Sequence, residues 1–252
     1  LKVSKPLIIN PGARINRRVR PRQTTPTLHI SIFWYVLLPR SSSRFNSIVD
    51  SISNVKSRTE ELYLDKCGVS INERMSPGVG WLYCGENNVP CVKRLSKNGN
   101  PEMASVINNS YLKPPKKFFG RRAFTYIVVP GARFIDDPTL LGTTVTFGQP
   151  DNYSIYSFLT LQALLPSNPW IVAHEMGHAL QNRVYNNFPS PNRNDPLNLM
   201  YEPVPRVKNP NDLNITTSQI EEFRQSSLLY PTPVTRQTRQ VSRRTGVTKS
   251  KP

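Results

Sequence analysis

Histidine and cysteine are scarce: the 252-residue chain holds three of each. With an odd cysteine count, at least one sulfur has no partner cysteine within the chain. Cys84 and Cys91 flank a turn-rich stretch and are spaced to close a small loop, which leaves Cys67 as a buried thiol; a fully reduced chain is the alternative. There is no zinc-finger spacing, no aromatic RNA-binding signature and no internal repeat. Long apolar runs are missing too. The longest, Ile32 to Leu38, is far too short to cross a bilayer. No signal peptide is visible, although a chain that begins at Leu1 leaves room for an upstream segment. Secretion is slightly favoured over the cytoplasm.

Acidic residues are absent from both ends. Residues 1–27 carry seven Lys/Arg and residues 229–252 carry six, with no Asp or Glu in either. Without these thirteen, twenty basic residues face sixteen acidic ones, so most of the net charge of +17 belongs to the ends. Both ends are rich in Pro, Ser, Thr and Gln and have little apolar surface to offset chain entropy. The reading is a domain over 28–229 between basic, disordered arms at 1–27 and 230–252. The arms suit contact with a polyanion or nucleic acid, or serve only as solvated tails.

What is there is concentrated in one pentapeptide. Two of the three histidines fall in His174-Glu175-Met176-Gly177-His178. On a helix, positions i and i+4 share a face, so both imidazoles can converge on one zinc ion. Glu175 lies beside them, placed to take a proton from zinc-activated water. The plain alternative is a pair of satisfied polar residues on a buried helix. Asn168 and Pro169 suit the cap and first turn of a helix over about 169–184. Trp170, Ile171, Val172, Ala173, Met176, Ala179 and Leu180 make it apolar on most sides.

Elsewhere, 28–38 reads as a buried strand, 44–64 as an amphipathic helix and 69–71 as a strand, giving a parallel βαβ pair. Strands are predicted at 80–84, 123–129 and 142–148, the threonines of the last suggesting a sheet edge. The segment 92–122 reads as loop, and 153–165 is ambiguous. Two overlapping capping boxes, starting at Thr216 and Ser218, open a helix over 217–229.

One further motif gives these elements a family likeness. Asn198-Leu199-Met200 follows the helix by about twenty residues and precedes the Thr216–Gln219 helix start. With the H-E-x-x-H pentapeptide, it resembles the metzincin superfamily of zinc metallopeptidases. The resemblance implies an α+β fold: a metzincin-like domain with a mixed twisted sheet, two long helices and a closing C-terminal helix. It also implies Zn2+ as cofactor and a peptide or protein as substrate. His174 and His178 become metal ligands, Glu175 the general base, and Met200 the apolar floor of a methionine turn.

The family's pattern continues with a glycine and a third histidine, where this chain has Gln181 and Val184. Catalytic zinc usually takes three protein ligands. Asp195, the only carboxylate between 178 and 200, is the first candidate. Glu202 is the second, and Glu221 and Glu222, in a gluzincin-like arrangement, the third. The expected function is a zinc endopeptidase whose substrate extends along the strand at 142–148. The alternative is a catalytically degenerate fold that binds through its basic arms.

Overall fold

The computed structural model describes residues 27–39, 43–71, 79–109, 112, 117–118, 121–149, 152–181 and 195–231. All thirteen basic residues of the two ends lie outside these, as does Val184. In chain order the strands are β1 Leu28–Ile30, β2 Ile32–Pro39, β3 Val69–Ile71, β4 Gly80–Cys84, β5 Arg94–Leu95, β6 Lys117–Phe118, β7 Arg121–Arg122, β8 Phe124–Val129, β9 Arg133–Phe134, β10 Gly142–Gln149, β11 Asn152–Thr160 and β12 Tyr230–Pro231. The α-helices are α1 Phe45–Cys67, α2 Pro101–Ile107, α3 Ile171–Gln181 and α4 Thr217–Arg224.

The fold is α+β. Its main sheet has the order β10-β11-β8-β2-β4. All neighbours are parallel except the edge pair β10–β11. Strand β8 is buried along its whole length, as expected for a strand covered on both faces. Alternation in β2 divides the core. Ile32, Trp34, Val36 and Leu38 face a cluster with α1 and α3. Leu37 joins the opposite cluster, with Leu95, Met103 and Phe134. Helix α1 turns Ile48, Ile52, Val55, Leu62 and Tyr63 inward, the i, i+3, i+4 stripe of an amphipathic helix.

The predicted strand at 28–38 is interrupted at Ser31 and serves two sheets. β1 lies between β3, to which it is parallel, and the antiparallel β12. The βαβ expectation therefore applies to a small second sheet, and that sheet takes in Tyr230 and Pro231, two residues beyond the expected end of the domain. The expected loop at 92–122 contains β5, α2 and the β6–β7 pair. Helix α2 was signalled by Asn100-Pro101: the Asn100 side chain accepts from Met103 N, with proline in the first turn. The ambiguous 153–165 resolves into β11 followed by a 3-10 turn at Leu161–Leu164. Helix α4 ends at Arg224, five residues short of the expected limit. Cys84 and Cys91 form a disulfide and Cys67 is a buried free thiol. No described helix is long and apolar enough to cross a membrane.

Candidate metal centre

Helix α3 starts at Ile171 rather than at 169. Asn168 does not cap it; its side-chain amide donates to Gln162 O at 3.0 Å. Two buried phenols brace the first turn. Tyr63 of α1 donates to Ala173 O at 2.8 Å, and Tyr126 of β8 donates to Val172 O at 2.7 Å. Burial holds both phenols well above their ordinary pKa, so they remain donors.

The i, i+4 spacing brings the two histidines together. The Nε2 atoms of His174 and His178 lie 3.0 Å apart. His174 Nδ1 lies 2.8 Å from Leu199 O. A carbonyl only accepts, so Nδ1 carries the proton and Nε2 presents a lone pair. Burial lowers the pKa of His174, and that of His178 further. Both rings are therefore neutral near pH 7, the state a metal requires. Two nitrogens sharing a tetrahedral zinc at about 2.0–2.1 Å each stand roughly 3.3 Å apart, close to the spacing found here. The pair fits zinc by donor type, charge state and convergence. Among the described residues, no third His, Cys, Asp or Glu joins them in a metal-binding group.

Glu175 is set from the side by β10. Thr144 Oγ1 donates to its Oε2 at 2.6 Å. Gly142 gives the carboxylate its space, since a Cβ there would stand 2.9 Å from Oε1. Burial pushes the Glu175 carboxyl up to about 8; the Thr144 hydrogen bond opposes this, Glu202 adds to it and Lys97 opposes it. A carboxyl near working pH can both take and return a proton.

Met200 is buried against α3, where a Cβ on Gly177 would collide with its sulfur. Glycine in mid-helix thus allows the methionine to approach α3 between His174 and His178. The turn that carries Met200 is held by amide pairing. Asn198 Nδ2 donates to Gln219 Oε1 at 2.9 Å, and Gln219 Nε2 donates back to Asn198 Oδ1 at 3.1 Å. The same Oδ1 accepts from Met200 N at 2.9 Å. Gln219 also closes the capping box with Thr216 at the start of α4. Leu199 N donates to Asn214 O at 2.9 Å, and Leu199 presents its own carbonyl to His174. The hydrogen bonds from the cap of α4 thus hold Asn198 and Met200, on either side of the Leu199 carbonyl that faces His174.

The other ligand candidates are engaged elsewhere. Asp195, expected first as third ligand, accepts from Leu197 N and from Asn214 Nδ2, each at 2.9 Å. Its carboxylate shapes the turn and does not join the histidines. Glu222 accepts from Gln181 Nε2 at 3.1 Å, and Glu221 is exposed. Glu202 lines the same cleft as the histidines and pairs with Lys97 at 3.4 Å.

The sequence reading missed Lys97. Thr143, the neighbour of Thr144, points to the other face of β10 and donates to Lys97 O at 2.8 Å. Asp136 accepts from Lys97 N at 2.8 Å and from Ser96 Oγ at 2.7 Å. These bonds fix the backbone at Lys97 while its ammonium reaches the cleft. Its charge lowers the pKa of His174, Glu175 and His178 alike. No local sequence pattern marks it, because bonds to the distant Thr143 of β10 and Asp136 bring it to the site. The cleft measures about 980 Å³; β10 forms one side of it, and Glu202 to Arg206 also line it.

No protein-family model matches the chain, and no curated protein matches it by sequence. Among solved structures it is similar to metalloproteinase-II from Bacteroides fragilis, with 11% identity and a TM-score of 0.45. That alignment covers 80% of this chain and 54% of the other, so the chain spans about half the length of that protein. It is also similar to archaemetzincin from Methanopyrus kandleri, with 14% identity and a TM-score of 0.33, over 79% of this chain and 88% of the other. Likeness at this level carries no functional weight, and the α+β fold stands on its own strand order and helices.

Proposed function

We propose that this chain is a zinc-dependent endopeptidase, with residues 28–229 as a metzincin-like domain and a peptide as substrate. The observation that carries the reading is the convergence of His174 Nε2 and His178 Nε2 at 3.0 Å beside a buried Glu175. His174 and His178 would hold the zinc. When bound, zinc lowers the pKa of water and polarises a carbonyl. Glu175 takes a proton from the attacking water and returns it to the leaving amine, while Thr144 keeps its carboxyl aimed. The Leu199 carbonyl fixes the tautomer of His174, as partners of zinc-bound histidines do. Met200 fills the space beneath the rings with an apolar group.

Substrate lies extended along β10. Among the described residues this strand is an edge of the main sheet and lines the cleft, and a sheet edge can accept an added strand. The Cys84–Cys91 disulfide favours an oxidising compartment, in keeping with secretion.

The test is cleavage of internally quenched peptides by the purified chain. Strong chelation abolishes cleavage and added Zn2+ restores it, and His178→Ala remains inactive under both conditions. Cleavage that survives chelation and the His178 change would refute the reading.

A further inference from the structure

The zinc reading leaves a third protein ligand to be found, and the residues of this chain narrow the choice. The only histidine outside the pentapeptide, His29, lies in β1 of the small sheet, where its ring packs on Tyr230. Residues 182–194 contain no His, Cys, Asp or Glu. Of the described carboxylates that line the cleft, Asp137 accepts from both the backbone N of Thr139, at 2.8 Å, and its hydroxyl, at 2.6 Å. Glu175 is tied to Thr144. Asp195 and Glu222 are engaged as described, and neither lines the cleft.

Glu202 differs from all of these. It lies two residues beyond Met200, on the segment that the Asn198–Gln219 pair anchors beside His174. The contact made by its carboxylate is to Lys97 Nζ at 3.4 Å, with side-chain exposures of 37% and 55%. An exposed pair at that distance is weak and easily exchanged. Lys97 is the cation paired with Glu202 in the cleft.

We propose that Glu202 is the third protein ligand of the metal, and that Lys97 holds its carboxylate until a divalent cation replaces the ammonium. The proposal rests on the zinc reading. It assigns the oxygen donor to the segment after Met200 rather than to Asp195 or α4. Two imidazoles and one carboxylate form a donor set known for catalytic zinc.

The experiment is Zn2+ affinity of the full chain, measured by competition with a chromophoric chelator, together with the visible spectrum of the Co2+-substituted protein. Glu202→Gln keeps the size of the side chain and removes its charge. It is expected to weaken Zn2+ binding by at least about tenfold, the lower end of the loss seen when a group that merely supports a zinc ligand is removed. It should also alter the Co2+ bands. Lys97→Met removes the competing cation and is expected to tighten binding. Melting of the metal-free variants should match that of the parent chain. If the parent binds Zn2+ and His178→Ala does not, while Glu202→Gln binds like the parent, Glu202 is not a ligand and the zinc reading stands. If Lys97→Met weakens binding as much as Glu202→Gln, the pair is a scaffold and the proposal fails. If the parent binds no Zn2+, both readings fail together.

Discussion

Helix α3 sets His174 and His178 by its own periodicity, whereas the turn from Asn198 to Glu202 is set by contacts with segments far along the chain. In α3, four residues of sequence are enough to bring two nitrogens within 3.0 Å. In the turn, Asn198 relies on Gln219, Leu199 on Asn214, and Glu202 on Lys97, 105 residues upstream. The two regions meet where Met200 packs on Gly177 and where the Leu199 carbonyl faces His174. On the proposed reading, the helix supplies two ligands and the general base, and the turn supplies orientation through Asn198 and Leu199 and a third ligand through Glu202. Changes to Glu175 or His178 should remove activity with little loss of stability, and changes to Asn198 should do the reverse.

The largest effect is expected from Glu175→Ala. Peptide cleavage should fall about 10²–10⁴-fold, the usual contribution of a general base, while zinc content and melting temperature stay near those of the parent. Assays of kcat together with elemental analysis check this. A variant that lost its zinc would show that Glu175 supports the metal rather than the reaction.

On the turn side, Asn198→Ala removes the acceptor for Met200 N and both bonds to Gln219, and Asn198 is fully buried. Leaving such partners unsatisfied costs about 1–3 kcal/mol, read as a shift of the urea midpoint. An unchanged midpoint would mean that the clamp does not hold the turn. Gly177→Ala probes the junction of the two regions. Crowding against Met200 and Tyr63 costs about 1–3 kcal/mol, of which up to about 1 kcal/mol returns through better helix propensity. Restoration of the midpoint by a second change, Met200→Ala, would identify the methionine as the group displaced.

The smallest effect is expected at Cys67, which is buried in the cluster between α1 and the sheet. Burial pushes its thiol up to about 12. At pH 8 the thiolate is then roughly one part in ten thousand, and only the thiolate reacts. Alkylation of the folded chain should be negligible at pH 8 and rise as the pH climbs toward 12. Rapid labelling at pH 8 would show that this core opens readily.

What the sequence disclosed follows the same division. Periodic features were legible: α1, α3, β8, the edge strand β10 and the Thr216–Gln219 box all repeat or cap at fixed short spacings. So were the two histidines and Glu175 as neighbours. The sheet change at Ser31 was not legible, because β1 and β2 read as one apolar run and only pairing with β3 and β12 divides them. Helix α2 was overlooked within a polar, proline- and lysine-rich stretch, although Asn100-Pro101 signals its start. Asp195 was favoured by its nearness in sequence to the pentapeptide, but its carboxylate turns to Leu197 and Asn214. Lys97 carries no local signal, since its place depends on Thr143 and Asp136.

The most direct measurement is the zinc content per chain of the purified protein, compared with His178→Ala and Asp195→Asn. Asp195→Asn preserves an acceptor for Leu197 N and removes the charge that a metal ligand would need. The account predicts about one zinc per chain in the parent and in Asp195→Asn, and none in His178→Ala. Zinc retained by His178→Ala, or lost from a folded Asp195→Asn, would contradict it.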